Sequence, residues 1–393
     1  MEPPSLAPVR TVTTFVTLRP GDVAQWESQI RKAKETCTQL ERTLAQTLNL
    51  TVQTTRIATN SFEEYIPLQD PTSAVTQLQK LLQKFDVKLF NVGPATSQRG
   101  IEVAALMVKQ SSRISASAFV QPANLQNALQ VADAILSISR ETQGGEGNFR
   151  FCASANVPPG IPFFPAAYHD GSPISFAIGL ETSGCLHEAL QIIDTSTVGN
   201  ERLALVADSI RRTFEQSLRP IRDVARQASH DVGVPFRGID ASLAPSPETP
   251  SIVDSMSRIG LGKFGTSGTL ATCAFLTGEL KKLLDGDVIG YTGLMLPILE
   301  DRGLARLANE GAVTIHELLM YSSVCGLGLD CVPIPGDSDR GSVAHLLLDV
   351  SALAHRKGGP LTARLFPIPG KVAGERTSFS NPHLCDCAIL NFS

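Results

Sequence analysis

Strand-like and helix-like stretches alternate along nearly the whole chain, and that alternation limits the fold more than any single motif does. Arg10–Leu18 (RTVTTFVTL) is rich in β-branched residues, Pro20-Gly21-Asp22 interrupts it, and Asp22 is placed to cap a helix that follows as far as Leu48. On that helix Trp26, Ile30, Ala33, Cys37, Leu40 and Leu44 recur at steps of three and four, so one face is buried. Leu50–Ala58, Val87–Val92 and Arg113–Val120 read as the next strands. Helices fall over Thr72–Phe85, after the turn Asn91-Val92-Gly93-Pro94, and over Asn124–Glu141.

The pattern continues past the glycine-rich break at 143–148. Strands are expected at Phe149–Val157, Ile174–Leu180, Phe236–Asp240, Val288–Leu296, Leu329–Val332 and Leu361–Phe366, with a last extended piece at Cys385–Asn391. Helices are expected at Arg202–Ala228, Ser251–Ile259, Thr266–Leu284, from Glu300-Asp301 onward, and at Ser342–Arg356. With about ten strands and no polar linker, the chain reads as a single α/β domain over residues 1–393: a plain β/α half to residue 148 and a motif-bearing half from 149. Helices between nearly all strands predict a sheet covered on both faces. A ten-stranded α/β barrel is the simplest way to use that many strands, and an open doubly wound sheet is the alternative.

Composition removes several classes of function. The 34 basic against 38 acidic residues leave a net charge of −4, which excludes a strongly basic nucleic-acid footprint. No apolar run reaches the length of a membrane span, and MEPPSLAPVRTVTTF lacks a charged start followed by an apolar core, so a cytoplasmic protein is expected. Eight cysteines scattered through apolar segments such as TLATCAFL suit reduced thiols better than a disulfide framework. The apolar helix faces leave room for a homo-oligomer.

Two segments are built like parts of a site. In Tyr321–Asp337 (YSSVCGLGLDCVPIPGD) a helix runs into Cys325-Gly326-Leu327-Gly328, where paired glycines let the backbone turn tightly and approach another group closely. Cys325 is then either a nucleophile or a packed thiol. In PPGIPFFPAAYHDGSP five prolines stiffen a loop that carries Phe163, Phe164, Tyr168 and His169, as a binding wall would. Asn156, just before it, could orient a ligand or bond its own backbone. Arg364, on a strand of apolar neighbours, must meet a buried acid or hold an anionic substrate, with Lys371 on the next loop as a second cation.

Glu181, Glu300, Asp330 and Asp337 stand at or near strand ends, where oxygen ligands could gather around Mg²⁺ or Ca²⁺. The same acids, with His169, could instead serve as general acid and base, and each could equally be a helix cap or a surface charge, as Asp301 and Asp339 are expected to be. Nothing suggests a nucleotide cofactor: the 143–148 break has no lysine after it and no G-x-G-x-x-G opening a helix.

FCASANVPPGIPFFPAAYH, GYTGLMLPILED, YSSVCGLGLDCVPIPGD and LTARLFPIPGKVAGE resemble, in order, the motifs of the domain-of-unknown-function family 711, also called uncharacterised protein family 0210. The resemblance implies a fold similar to the pyruvate-formate-lyase and ribonucleotide-reductase barrel, two opposed five-stranded halves, and it brings no reaction with it. Glycyl-radical enzymes of that fold carry an Arg-Val-Ser/Ala-Gly-aromatic loop and a thiol on a loop inside the barrel. Lys371-Val372-Ala373-Gly374-Glu375 matches in part only, with lysine for the arginine and Glu375 for the aromatic residue, which argues against active radical chemistry. The function expected is therefore an enzyme of lyase, isomerase or hydrolase type acting on a small, polar, anionic metabolite in a barrel pocket. The alternative is a non-catalytic metabolite-binding or regulatory protein.

Overall fold

Nine strands join in one mixed sheet in the order β7-β6-β1-β2-β3-β4-β5-β9-β8. The computed structural model describes residues 6–194 and 196–391. In its first half β1 (Val9–Val16), β2 (Val52–Thr59), β3 (Leu89–Ala95), β4 (Ile114–Phe119) and β5 (Phe151–Ala155) run parallel in chain order. Helices α1 (Val23–Leu48), α2 (Thr72–Lys84), α3 (Gln98–Gln110) and α4 (Leu125–Glu141) make the crossovers. Asp22 caps α1 by accepting from the Gln25 backbone, and the six apolar positions read from the sequence form its buried face.

The direction then reverses. β6 (Ser175–Leu180) pairs antiparallel with β1, and β7 (Phe236–Asp240) pairs parallel with β6. At the far edge β9 (Leu361–Ile368) pairs antiparallel with β5, and β8 (Gly328–Pro335) parallel with β9. Between these strands lie α5 (Ser183–Gln191), α6 (Gly199–Val232), α7 (Ile252–Met256), α8 (Thr269–Leu280), α9 (Arg302–Asn309), α10 (Ile315–Ser322) and α11 (Arg340–Lys357). Asp301 and Asp339 are the caps of α9 and α11, as their positions implied. No described helix is long and apolar enough to cross a membrane, and all eight cysteines are free thiols.

Residues 288–297, expected as a regular strand, are not one. They touch both outer strands through isolated parallel bridges: Val288 with Ile239 and Leu294 with Leu243 next to β7, and Pro297 with Asp330 of β8. The ladder is broken because the Tyr291 and Thr292 backbone N–H groups donate to the Asp240 carboxylate (3.1 Å each), and Gly290 and Thr292 take positive φ to do so. The extended piece at Cys385–Asn391 likewise makes a single bridge, Ala388 with Arg376.

The proline-stiffened loop 156–174 packs against strands from across the whole sheet. Phe164 and Ala167 meet Phe15 of β1, Ala58 of β2 and Ala177 of β6. Val157, Ile161 and Ala166 meet Cys152 of β5, Tyr291 and Leu327. The His169 N–H donates to the Thr59 carbonyl (2.9 Å), and Asn91 donates to that of Pro165 (2.6 Å). The loop thus shares one packing region with β1, β2, β3, β5 and β6.

Candidate functional site: a buried arginine and carboxylate chain

Every residue of β9 is buried, so a guanidinium in its middle is costly unless paired. Arg364, 4% exposed, is paired twice: Nε donates to Asp330 Oδ1 at 2.6 Å and Nη2 to Glu300 Oε2 at 2.7 Å. Its guanidinium carbon lies 4.9 Å from the Phe149 ring centre and 5.4 Å from that of Phe163. The β8 to β9 register slips between Leu329 and Val332, and Cys331 sits there at φ +45, a bulge that re-aims its neighbours. The Cys331 thiol donates to Glu300 Oε2 at 3.2 Å. From β1, Arg10 donates to Glu300 (3.0 Å), Glu181 (3.5 Å) and the Pro245 carbonyl (3.0 Å), and Gln53 donates to Glu181 at 2.5 Å. Charges thus alternate along one chain of contacts: Glu181, Arg10, Glu300, Arg364, Asp330.

The two central acids are driven apart electrostatically. Burial pushes Glu300 up, but Arg364 and Arg10 outweigh it and hold its carboxyl below the ordinary value. Asp330 goes the other way: burial, with the Glu300 charge beside it, holds it above the ordinary value against the pull of Arg364. A pair so split is the usual arrangement of an acid and a base.

This chain borders a cavity of about 820 Å³, mouth included, whose other walls include Phe149, Phe163, Phe164 and Met295. Arg56 projects from β2 into the same space. Its Nε donates to Thr54 Oγ1 (3.1 Å) and its guanidinium carbon lies 5.2 Å from the Phe164 ring centre, but no described carboxylate pairs with it. Burial, with Arg10 and Arg364 nearby, pushes its guanidinium down to about 9. Arg150, also in the wall, is consumed by the carbonyls of Val108, Ser111 and Ile114.

Of the residues marked in the sequence, Phe163, Phe164, Glu300, Asp330 and Arg364 line this cavity, and Glu181 joins through Arg10. The rest lie elsewhere. Cys325 is packed in the main core, where Lys357 donates to its carbonyl. Asn156 is exposed beside a separate shallow pocket with Phe119 and His355. The Tyr168 hydroxyl is taken by the Val157 carbonyl (3.0 Å), Lys371 bonds the Arg376 carbonyl (2.5 Å), and Asp337 is an exposed turn residue.

His169 is buried against Phe15, with Nε2 2.7 Å from the Ser172 carbonyl and Nδ1 without a hydrogen bond. Burial lowers its pKa below 6.5, so the folded state resists the proton that the unfolded state accepts. Stability from this group is complete above about pH 6.5 and is lost as pH falls below it. Urea midpoints should therefore fall from pH 7.5 to 5.5 in the parent and fall less in His169→Gln, and equal slopes would sink the assignment.

The candidate metal set fares differently from its sequence reading. Glu300, Asp330 and Cys331 present donor atoms within 4.8 Å of one another, whereas Glu181 and Asp337 are not part of that group. A thiol is a poor ligand for Mg²⁺ or Ca²⁺, and Arg364 already occupies both carboxylates, so a cation would have to displace it. These residues as placed do not fit the hard-cation site.

Arg10, Arg56 and Asp240 went unmarked in the sequence. The feature that distinguishes Arg364, a charge inside a β-rich run, is shared by Arg56 in VQTTRIAT and Arg10 in VRTVTTFV. Asp240 gave no comparable signal, because its partners Tyr291 and Thr292 are about fifty residues away in the chain.

Fold and site together describe a mixed α/β protein with a buried chain of charged side chains beside a cavity. The chain belongs to the family described as Uncharacterised ACR (DUF711), whose model matches residues 5–380. Curated relatives carry the name UPF0210 protein. That of Pyrobaculum aerophilum is 33% identical over 64% of this chain and 55% of its own, and that of Syntrophobacter fumaroxidans 35% over 58% and 51%. That of Methanococcus aeolicus is 29% identical over 70% and 61%, so the chain spans a little over half the length of the relatives it matches. A solved anaerobic ribonucleotide reductase aligns over 89% of this chain and 62% of its own, with TM-score 0.26 and 9% identity, a level that defines no common fold.

Proposed function

We propose that the sheet and residues 288–297 together make a ten-stranded barrel of two opposed halves, and that its lumen is the active site of an enzyme acting on a small anionic metabolite. The bridges from 288–297 to both outer strands support closure, and loop 156–174 fills the lumen beside the cavity. The observation that carries the functional reading is Arg56: a guanidinium facing an enclosed, largely apolar space with no carboxylate partner is a receptor waiting for an anion. Opposite it, Asp330 is the group to deliver a proton and Glu300 the one to accept it. That is the work of a lyase or isomerase, or of a hydrolase if the base acts on water. The thread of loop inside the sheet, residues 156–174, contains no cysteine, so the radical relay of the resembling enzymes has no thiol there.

The test is turnover followed by proton NMR, with the purified protein incubated in D₂O with a panel of small carboxylates and phosphate esters. Consumption of a compound, or deuterium incorporation into it, is expected for the parent and should fall by about a hundredfold or more in Asp330→Asn. Compounds that bind through Arg56 yet return unchanged and unlabelled would replace the enzyme with a metabolite-binding protein.

A further inference from the structure

One guanidinium in the cavity wall, Arg56, has no carboxylate partner among the described residues, and that limits what the cavity can hold. Glu181, Glu300 and Asp330 supply three carboxylates to two guanidiniums, Arg10 and Arg364, so this cluster offers no spare positive charge. Arg150 is spent on backbone carbonyls. Asp240, also in the wall, is held by Ser242, Tyr291 and Thr292 and contributes negative charge only. Among the described arginines of the wall, Arg56 is the one with donors left for a ligand: its Nε is committed to Thr54, and no described residue takes its terminal nitrogens, which can receive one planar anion.

Resting on the anion-binding reading above, we infer that the ligand is a monocarboxylate with an apolar body, seated with its carboxylate on Arg56 and its body among Phe163, Phe164 and Met295. A second negative charge would have to lie near the ionised Glu300, in a space where water screens poorly, and would meet like charge. A phosphate monoester or a dicarboxylate therefore leaves one charge unmatched, whereas an apolar body meets walls that want covering. The Arg56 guanidinium carbon lies over the Phe164 ring, which places an apolar wall next to the receiving group.

Calorimetric titration of the whole chain with phenylacetate, 4-methylpentanoate, malonate and inorganic phosphate tests this, in the parent and in Arg56→Gln. Arg56 has no carboxylate partner to abandon, so the variant should fold, and its thermal melt verifies that. Phenylacetate or 4-methylpentanoate should bind the parent at least about tenfold more tightly than malonate or phosphate, and lose at least about tenfold in Arg56→Gln. If malonate or phosphate binds more tightly, and through Arg56, the monocarboxylate inference is overturned while the anion site stands. If none of the four shows binding that depends on Arg56, the anion site itself falls.

Discussion

Arg364→Met is expected to lower the unfolding free energy by about 3–5 kcal/mol at pH 7.5, measured by urea denaturation, because it leaves Asp330 buried without its cation and Glu300 with Arg10 alone. Glu300 and Asp330 are 3% and 2% exposed, so water cannot take the place of the guanidinium. The sign of the pH dependence follows from the same geometry. In the parent, Glu300 is held below its unfolded value, so its contribution is present above that value and lost as pH falls through the folded one. In Arg364→Met both carboxyls should rise above their unfolded values of about 4, and an acid that binds its proton more tightly when folded loses stability as pH rises. The gap between variant and parent should therefore narrow on going from pH 7.5 to 4. Adding Glu300→Gln and Asp330→Asn to Arg364→Met removes the stranded charges and should recover most of the loss. A deficit below about 0.5 kcal/mol, or one that pH leaves untouched, would mean that the cluster does not hold the sheet together.

The strands and helices were legible because each carries its own periodicity, and local rules such as the cap at Asp22 act within a few residues. The site was legible only where one residue was anomalous by itself. Arg364 announced a buried partner, since a charge on an apolar strand is tolerated only where an opposite charge meets it, and its partners came from the acids at neighbouring strand ends. Cys325 could not be decided from sequence: its glycine neighbours marked a close approach, what approaches is backbone, Gly326 against Gly293, and the thiol lies buried in the core beside it. The irregular course of 288–297 could not be read at all, because the carboxylate that captures its N–H groups belongs to β7.

Arginine in place of a metal gives the cluster a particular character. A cation bound to Glu300 and Asp330 would lower both pKa values together, whereas Arg364 shares itself unequally: Glu300 has Arg10 as a second partner and Asp330 has none. In the proposed function that asymmetry separates the proton donor from the proton acceptor on the same guanidinium, and it rests on the register of β8 against β9, which sets Asp330 beside Arg364.

Gly328→Ala should break that register and cost more than about 3 kcal/mol. Gly328 has φ +110, and a Cβ there would lie 2.4 Å from the carbonyl oxygen of Thr362, its ladder partner on β9. Neither side can yield cheaply, since the obstacle is backbone in a buried strand, and Thr362 is two residues from Arg364 as Gly328 is from Asp330. The conformational part of the loss can be measured separately at Gly358, which closes α11 at φ +69 with nothing within 4 Å of its Cβ position. Gly358→Ala should lose only the strain of a left-handed alanine, about 1 kcal/mol. The excess loss in Gly328→Ala, at least about 2 kcal/mol by urea denaturation, then belongs to the close approach of the two strands. In Gly328→Ala carrying Asp330→Asn, the two losses should fall short of their sum, because displacing Thr362 already loosens the Asp330 to Arg364 contact. Were Gly328→Ala no worse than Gly358→Ala, the strands would have room between them, and the tight seat of Arg364 would need another cause.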